Sequence, residues 1–441
     1  MSFTEDLAHK LQLLNLNHAL YNIFAYLLKP ITAFITLYQS KPANTAVYLH
    51  QKRIRYGKNF ACAGGLWMSD FEEVKKNLLE PQARTYKLAP SQLRKEVLPK
   101  SFLLSLSQAG AGGNGDWEAY RAAVNEVIFD DSVKERWGDS TARKLIDDLA
   151  EEYKTLKMDD KLDFFFESND SGLNMFLAKY LHYVIFGIDP SNEEAIKAIV
   201  KFHYELKSAA YHINVISQIL FRKNESEVEQ ALSKVAKIYE DSPTISKMNE
   251  NEERYKNMTK KELSLLMVSI MSLAGMVGPQ TLATIVLGNR GLPEYEGKKT
   301  GSIKVENIWD TIDLNDRDEV LKYMLECGRL RHPVSNTHKI AQEPFAAEVN
   351  GKNVKFPKGT LIYIPMQLAS LDESVYGADT FEFNHNRENL CPFSTIFHSF
   401  GNETNGRICP GKAVAETMIV DVLIALGKVR RGLTDQAYGT M

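Results

Sequence analysis

The segment Phe400–Gly411, with the sequence FGNETNGRICPG, has the clearest arrangement of residues that could do chemistry. A glycine-rich loop leads to Cys409, and Pro410 and Gly411 open the last predicted helix. Proline suits the first helical position because the N–H that it lacks would have no intrahelical partner. The positive end of that helix and Arg407 are expected to lower the pKa of the Cys409 thiol. Since a thiolate binds metals, Cys409 is either a metal ligand or a small buried apolar residue.

Two shorter motifs place functional side chains on single helix faces. Glu326 and Arg329 lie three residues apart in ECGR, and Trp117 and Arg121 lie four apart in WEAYR. Residues at these spacings are neighbours on a helix surface. Apolar residues flank Glu326 and Arg329, which predicts a buried ion pair. Because a buried pair needs complete hydrogen bonding, Arg387 in the segment FNHNR is a candidate third member.

The rest of the pattern predicts one large domain that is mainly α with a small β portion, an α+β protein. Apolar residues recur at helical spacing over Thr259–Leu287, which is long enough to cross a large core. The last helix is predicted to begin after Pro410 and to end at Gly427. Short hairpins are predicted over Tyr56–Met68 and Ala346–Pro365.

Composition argues against several classes of protein. The 441 residues carry a formal net charge of −3, so nucleic acid is not an expected partner. Four scattered cysteines do not make a disulfide framework and indicate a reducing compartment. Residues 1–40 form an apolar segment that Lys29-Pro30 interrupts, which predicts buried or interfacial helices ahead of a main domain over 41–441. We expect a monomer that is cytoplasmic or attached peripherally to a membrane.

Taken in order, WxxxR, ExxR, an FxxxR segment and a cysteine loop ending in RxCxG resemble the cytochrome P450 superfamily of heme-thiolate proteins. The first hairpin, the long central helix and the second hairpin fall where that family has them. The resemblance therefore covers nearly the whole chain. It implies a cytochrome P450-like fold and heme b, iron protoporphyrin IX, as the cofactor.

The resemblance also implies roles for individual residues. It makes Cys409 the axial thiolate ligand of the heme iron. It assigns Glu326, Arg329 and Arg387 to a buried triad on the proximal side of the heme. The expected donors to the heme propionates are Trp117, Arg121 and Arg407, with His338 or Lys339 as a further one.

The cysteine loop departs from the family pattern in its length. Phe400 and Cys409 are nine residues apart, where the family usually has seven. A two-residue insertion around Glu403–Asn405 explains the difference. Similar enlarged loops occur in family members that use peroxides or rearrange lipid hydroperoxides.

The central helix lacks the acid of the family motif (A/G)Gx(D/E)T. An alignment on Ala274-Gly275 puts Val277 and Gly278 at the positions of the acid and the alcohol. An alignment three residues later puts Gln280 and Thr281 there instead, with Gly278 at the glycine position. Neither alignment supplies a carboxylate, and a neutral amide is not a proton relay near neutral pH. The adjoining Pro279 predicts a kink in the helix.

The resemblance implies a heme-thiolate oxidoreductase that acts on a mostly apolar small organic substrate through a ferryl intermediate. The missing acid favours a non-standard route, by peroxide or hydroperoxide use, rearrangement or oxidative coupling. The alternative is a conventional O₂-dependent monooxygenase with a ferredoxin or flavin reductase partner. A non-catalytic heme sensor and a zinc site are less favoured, since the sequence has neither an output module nor a ligand cluster.

Substrate-pocket walls are expected from three segments with mostly apolar or small side chains. By family position these are Ala109–Gly115, Met271–Thr281 and the chain after Pro333. Part of His203–Gln218 is either a fourth wall or core. Such walls predict a fatty, terpenoid or aromatic substrate.

Overall fold

Helices make up most of the chain in the computed structural model, which describes residues 6, 9–10, 13, 45–62, 65–79, 84–86, 115–158, 162–206, 225–249, 252–256, 258–287, 311–334, 336–388 and 408–432. The first eight are α1 (Thr45–Tyr56), α2 (Phe71–Leu79), α3 (Asp116–Ile128), α4 (Asp131–Arg136), α5 (Ser140–Met158), α6 (Leu162–Glu167), α7 (Gly172–Phe186) and α8 (Glu193–Val200). The others described are α9 (Glu225–Glu240), α10 (Pro243–Ser246), α11 (Lys260–Ile270), α12 (Val277–Val286), α13 (Arg317–Leu330), α14 (Met366–Ala369), α15 (Glu373–Tyr376) and α16 (Lys412–Arg430). The prediction of a mainly α protein is confirmed.

The β portion of the described chain consists of two small sheets. Its strands are β1 (Asn59–Cys62), β2 (Gly65–Met68), β3 (Arg84–Tyr86), β4 (Thr337–Ala341), β5 (Phe345–Val349), β6 (Lys352–Phe356) and β7 (Leu361–Ile364). Five of them form one sheet in the order β1-β2-β7-β4-β3, in which only the β2–β7 pair is parallel. β5 and β6 form the second sheet.

The second predicted hairpin divides between these two sheets. β5 and β6 turn at Asn350 and Gly351, whose φ angles of 53° and 70° suit a two-residue hairpin loop. β7 instead pairs with β2 and β4 in the larger sheet. Ile362 and Ile364 are both 0% exposed there, so burial of alternate side chains accounts for the placement of β7.

The largest apolar core lies among the helices, with α16 packed against α5, α12 and α13. α16 continues to Arg430, three residues past the predicted end at Gly427. Gly427 is buried within it, so packing on the neighbouring helices holds the last turn in place. Lys428 and Arg430 lie at the carbonyl end, where the helix dipole favours positive charge.

The predicted central helix is present as α11 and α12, joined by a wider turn. A capping box starts it, in which Thr259 accepts the Glu262 N–H and Glu262 accepts the Thr259 N–H. Met271–Gly275 form a π turn, which the Met276 N–H closes on the Met271 carbonyl at 2.9 Å. Such a turn holds an extra residue, so it changes the direction in which later side chains point.

Part of the N-terminal segment docks on α1 and β1. The His9 ring stacks on Tyr56 with the centroids 3.8 Å apart, and His9 Nε2 accepts the Ala61 N–H at 3.2 Å. Asp6 accepts hydrogen bonds from Arg55 at 2.6 Å and from the Tyr56 hydroxyl at 2.7 Å. Most of the predicted segment 1–40 lies outside the described residues. Among the helices that are described, none combines the length and apolarity of a membrane span.

Candidate active site around Cys409

Cys409 lies partly buried in the turn that leads into α16. Its carbonyl accepts the Lys412 N–H at 3.3 Å, and its sulfur accepts the Gly411 N–H. Burial nevertheless raises the pKa of the Cys409 thiol, against the opposing effects of the Gly411 N–H, Arg121 and Lys412. The expectation of a lowered thiol pKa is therefore wrong for the protein alone, because loss of solvent outweighs the nearby positive groups. Arg407, the other group in that expectation, lies outside the described residues.

Helix α3 brings Arg121 to the cysteine loop. The helix begins after Gly115, whose φ of 93° is a conformation that glycine adopts readily. Trp117 is 4% exposed in the core, and Arg121 Nη2 donates to the Ile408 carbonyl, 287 residues away. Arg121 Nε is buried and makes no hydrogen bond with the described residues. Two of the sequence motifs therefore adjoin in space.

Glu326, Arg329 and Arg387 meet in one buried ion-pair group, which we call the triad. Glu326 and Arg329 are 0% and 1% exposed. Arg329 donates from Nε and Nη2 to the two carboxylate oxygens of Glu326, both at 2.7 Å. Arg387 Nε and the Asn384 N–H donate to Glu326 Oε1 at 3.2 and 2.9 Å. The carboxylate thus has partners for both of its oxygens.

Both arginines of the triad also bind backbone beyond α13. Arg329 Nη1 donates to the Ser370 and Thr380 carbonyls at 2.9 and 2.7 Å. Arg387 Nη2 donates to the Asp379 carbonyl at 2.5 Å, and its Nη1 donates to the Asp379 carboxylate at 2.9 Å. The triad therefore joins α13 to the chain that follows α14.

The space beside the central helix opens at Gly278. A Cβ atom added to Gly278 would meet no atom within 4 Å, whereas one at Gly275 would meet Met271 Sδ at 2.5 Å. Gly275 is thus covered by a side chain, and Gly278 is not. Thr281, three residues on, shares a helix face with Gly278, but Gln280, two residues on, does not.

Thr281 also differs from the other hydroxyl residues of the central helix. The hydroxyls of Ser269, Ser272 and Thr284 each donate at 2.7 Å to a carbonyl of the preceding turn. The partly buried Thr281 makes no hydrogen bond of this kind within the described chain. Its hydroxyl is therefore available on the face that carries Gly278.

The further propionate candidates lie in the larger sheet. His338 and Lys339 are in β4, opposite Tyr363 and Ile362 of β7. Lys339 is buried at 1% exposed. The hydrogen-bond partners of Glu326 are Arg329, Arg387 and the Asn384 N–H, so Lys339 is separate from the triad.

Of the predicted pocket walls, His203 belongs to the core. It is 0% exposed, and its Nε2 lies 3.2 Å from the Tyr239 hydroxyl. The same hydroxyl lies 2.6 Å from Nε2 of His182, so two buried rings share it. Residues 109–114 and 207–218 lie outside the described residues.

Sequence reasoning missed the backbone groups that complete the site. The Ile408 carbonyl and the N–H groups of Gly411 and Asn384 each bind a predicted residue. Backbone groups occur at every position, so no residue type signals them. Within the described chain, no group of three or more His, Cys, Asp or Glu residues could hold a metal ion.

Comparison with known proteins bears on the fold. No family sequence model matches the chain, and none of the curated proteins matches it. Among solved structures, the cytochrome P450 enzyme CYP109B1 from Bacillus subtilis superposes with a TM-score of 0.59 at 13% identity, over 88% of this chain and 92% of that one. CYP109E1 from Bacillus megaterium, in complex with corticosterone, gives 0.59 at 14%, over 89% and 91%. P450BioI, in complex with an acyl carrier protein ligated to hexadec-9Z-enoic acid, gives 0.57 at 14%, over 83% and 85%. This chain therefore has the cytochrome P450 fold.

Proposed function

We propose that the protein is a heme-thiolate oxidoreductase in which Cys409 ligates the iron of heme b. The observation that carries the proposal is the hydrogen bond from Arg121 to the Ile408 carbonyl. It brings together two motifs of the resemblance that lie 287 residues apart in a chain with the cytochrome P450 fold. Neither motif alone specifies a heme protein, but their proximity gives one site a thiol ligand and a cation.

The residues around Cys409 fit the cofactor chemically. The thiol is desolvated and its pKa is raised, so a metal cation would supply the positive charge that favours the thiolate. Arg121 Nε is a buried donor without a described partner, as a carboxylate-binding group would be before its ligand arrives. Trp117 lies one turn earlier on the same helix and would be a second donor. A thiolate-ligated heme, when bound, supplies the cleavage of O–O bonds and the oxidation of organic substrates.

The protein's own part is to hold the ligand and shape the space above it. The Gly411 N–H donates to the Cys409 sulfur, which orients the lone pairs of the sulfur. The triad fixes α13, which packs against α16 and hence against the helix that Cys409 starts. On the central helix, Gly278 leaves room for a bound molecule, and the Thr281 hydroxyl can donate or accept a hydrogen bond on the same helix face.

We propose a non-standard oxidant for this enzyme. The segment Met271–Thr281 contains no carboxylate, and the neutral Gln280 amide cannot act as a general acid or base near neutral pH. Gln280 also lies off the face that Gly278 and Thr281 share. A route that uses peroxide or a substrate hydroperoxide, or that proceeds by rearrangement or oxidative coupling, needs less proton delivery from this helix than the conventional O₂-dependent route does. The alternative is a conventional monooxygenase with a ferredoxin or flavin reductase, and the available Thr281 hydroxyl favours it.

The proposed substrate is a mostly apolar small organic molecule. The described part of the central helix presents small and apolar residues at Gly278 and Val277. Two of the similar structures have an apolar ligand, a corticosteroid in one and a fatty acid on a carrier protein in the other. We therefore give lipophilic molecules priority in ligand screens.

The carbon monoxide difference spectrum of the reduced, heme-loaded protein tests the ligation. We expect a band characteristic of thiolate ligation in the wild type and its loss in Cys409→Ala. Cys62→Ala is the matched control, because Cys62 is a buried free cysteine that lies in β1, away from the turn that leads into α16. A thiolate band that survives Cys409→Ala, or disappears equally in Cys62→Ala, would show that Cys409 is not the ligand.

Turnover assays distinguish the two routes. The same lipophilic substrates are supplied either with hydrogen peroxide or an organic hydroperoxide, or with O₂ and a reduced ferredoxin system. The non-standard route predicts product without any reductase. Product that strictly requires the reduced electron carrier would establish the conventional monooxygenase instead.

A further inference from the structure

Arg121 connects helix α3 to the peptide unit on the N-terminal side of Cys409. Its Nη2 donates to the Ile408 carbonyl, which belongs to the same planar peptide group as the Cys409 nitrogen. Fixing that carbonyl restricts rotation about the bonds that orient this peptide plane. The bond therefore helps to set the direction in which the Cys409 side chain leaves the backbone.

The peptide unit on the other side of Cys409 is held in a different way. The Cys409 carbonyl accepts the Lys412 N–H, and the Gly411 N–H donates to the sulfur. Both donors belong to the start of α16 itself. The peptide unit on the N-terminal side of Cys409 is held instead by a separate element, because the bond to the Ile408 carbonyl comes from Arg121 in α3.

Helix α3 is a rigid support for such a contact. Ala123, Val124 and Val127 are each 0% exposed, so the helix is anchored in the main core around Arg121. The guanidinium has five N–H donors in a fixed plane. With Nη2 bound to the Ile408 carbonyl, Nε still has no partner among the described residues.

We propose that Arg121 is a positioning residue for Cys409, which holds the Ile408 carbonyl with Nη2 and thereby favours thiolate ligation of the cofactor, a role separate from the propionate contact that the resemblance implies. The second half of this inference rests on the proposed function, and the first half does not. One side chain then couples two events, the ordering of the cysteine loop and the binding of the cofactor. Trp117, on the same helix, provides the contrast, because it is Arg121 that donates to the Ile408 carbonyl.

Hydrogen exchange in the cofactor-free protein tests the first half. We compare amide exchange at Cys409, whose N–H lies in the peptide unit that Arg121 holds, in the wild type, Arg121→Gln, Arg121→Lys and Trp117→Phe. Loss of one charged hydrogen bond should speed exchange about tenfold in Arg121→Gln. Lysine keeps one charged donor and should give a smaller increase, and Trp117→Phe should exchange as the wild type does. Equal exchange in Arg121→Gln and the wild type would overturn the positioning role.

Heme titration tests the second half. At equal bound heme, Arg121→Gln should show a smaller fraction of thiolate-ligated protein by carbon monoxide difference spectroscopy. Trp117→Phe should bind heme more weakly but keep the wild-type ligated fraction. Equal ligated fractions in Arg121→Gln and the wild type would refute the coupling. Urea midpoints establish that each variant is folded. If Arg121→Gln does not fold, Arg121→Lys replaces it in the heme titration.

The two failures are distinguishable. If the wild type binds no heme, the proposed function is wrong, but the exchange measurement still decides whether Arg121 orders the loop. If heme binds through Cys409 and exchange is unaffected by Arg121→Gln, the function stands and the positioning role falls.

Discussion

Replacing Glu326 by Gln measures what the buried triad contributes to stability. The substitution keeps the length of the side chain but removes its charge, and the new amide has only one acceptor oxygen. In the wild type, the two Glu326 oxygens accept bonds from Arg329 Nε and Nη2 at 2.7 Å and from Arg387 Nε at 3.2 Å. Both arginines stay charged in the variant, because a guanidinium is not deprotonated in proteins.

The expected loss is about 3–5 kcal/mol in the free energy of unfolding, the usual cost of removing one partner of a buried ion pair. Glu326 and Arg329 are 0% and 1% exposed, so water cannot replace the carboxylate. Arg387→Lys keeps the charge but loses the planar fork, and it should cost about 1–3 kcal/mol.

Urea unfolding of the cofactor-free protein is the assay, with midpoints compared at equal m-value. Glu319→Gln is the matched control on the same helix. Glu319 lies 3.6 Å from His385 with its side chain 32% exposed, so its loss should change stability by no more than about 0.5 kcal/mol. A loss below about 1 kcal/mol for Glu326→Gln would refute the view that these charges depend on one another.

Three further predictions concern other parts of the fold. Burial lowers the pKa of His9 from 6.5 to about 4, so docking of the N-terminal segment should weaken as the pH falls from 6.5 to 4, by about 30-fold at pH 5. Faster hydrogen exchange of the Ala61 amide, which His9 accepts, would show this weakening. The substitution His9→Phe should abolish the pH dependence. Tyr239→Phe removes a hydroxyl that contacts two buried imidazoles, so it should lower the free energy of unfolding by about 1–3 kcal/mol in urea titrations. A change below about 0.5 kcal/mol would contradict this prediction. Gly278→Ala should raise the free energy of unfolding of the cofactor-free protein by about 0.5–1 kcal/mol, because a Cβ atom meets nothing there. The same substitution should weaken the binding of lipophilic ligands in spectral titrations, because the methyl group takes up space in the proposed pocket. Unchanged ligand affinity would place the pocket elsewhere.

The sequence predicts the side-chain members of the triad but not the backbone carbonyls that bind to it. The i, i+3 spacing of Glu326 and Arg329 and their apolar neighbours indicate a buried pair, and the structure has them 2.7 Å apart. The carbonyls of Ser370 and Thr380 also bind Arg329, but nothing in their side chains indicates it. Such partners depend on how the chain returns to α13, which is a tertiary property.

The pKa of Cys409 shows where local reasoning fails. A helix N-terminus and nearby cations are visible in the sequence, and both favour a thiolate. Burial of the sulfur is not visible there, because it depends on how α3 and α16 come together around the loop. In the structure burial outweighs the positive groups and raises the thiol pKa. The same difficulty applies to Gly275 and Gly278, since the sequence does not show that the Met271 side chain covers the first and not the second.

The long-range polar contacts of this protein place few demands on residue type at their carbonyl ends. Arg121 and Arg329 each bind backbone carbonyls in distant segments, whereas the carbonyls that Arg387 binds lie within 11 residues of it. A carbonyl is present whatever the side chain, so the partner residue can change without loss of the bond. Only the arginine and the path of the backbone must be kept. Contacts of this kind therefore fix the path of the chain while they require few specific residue types.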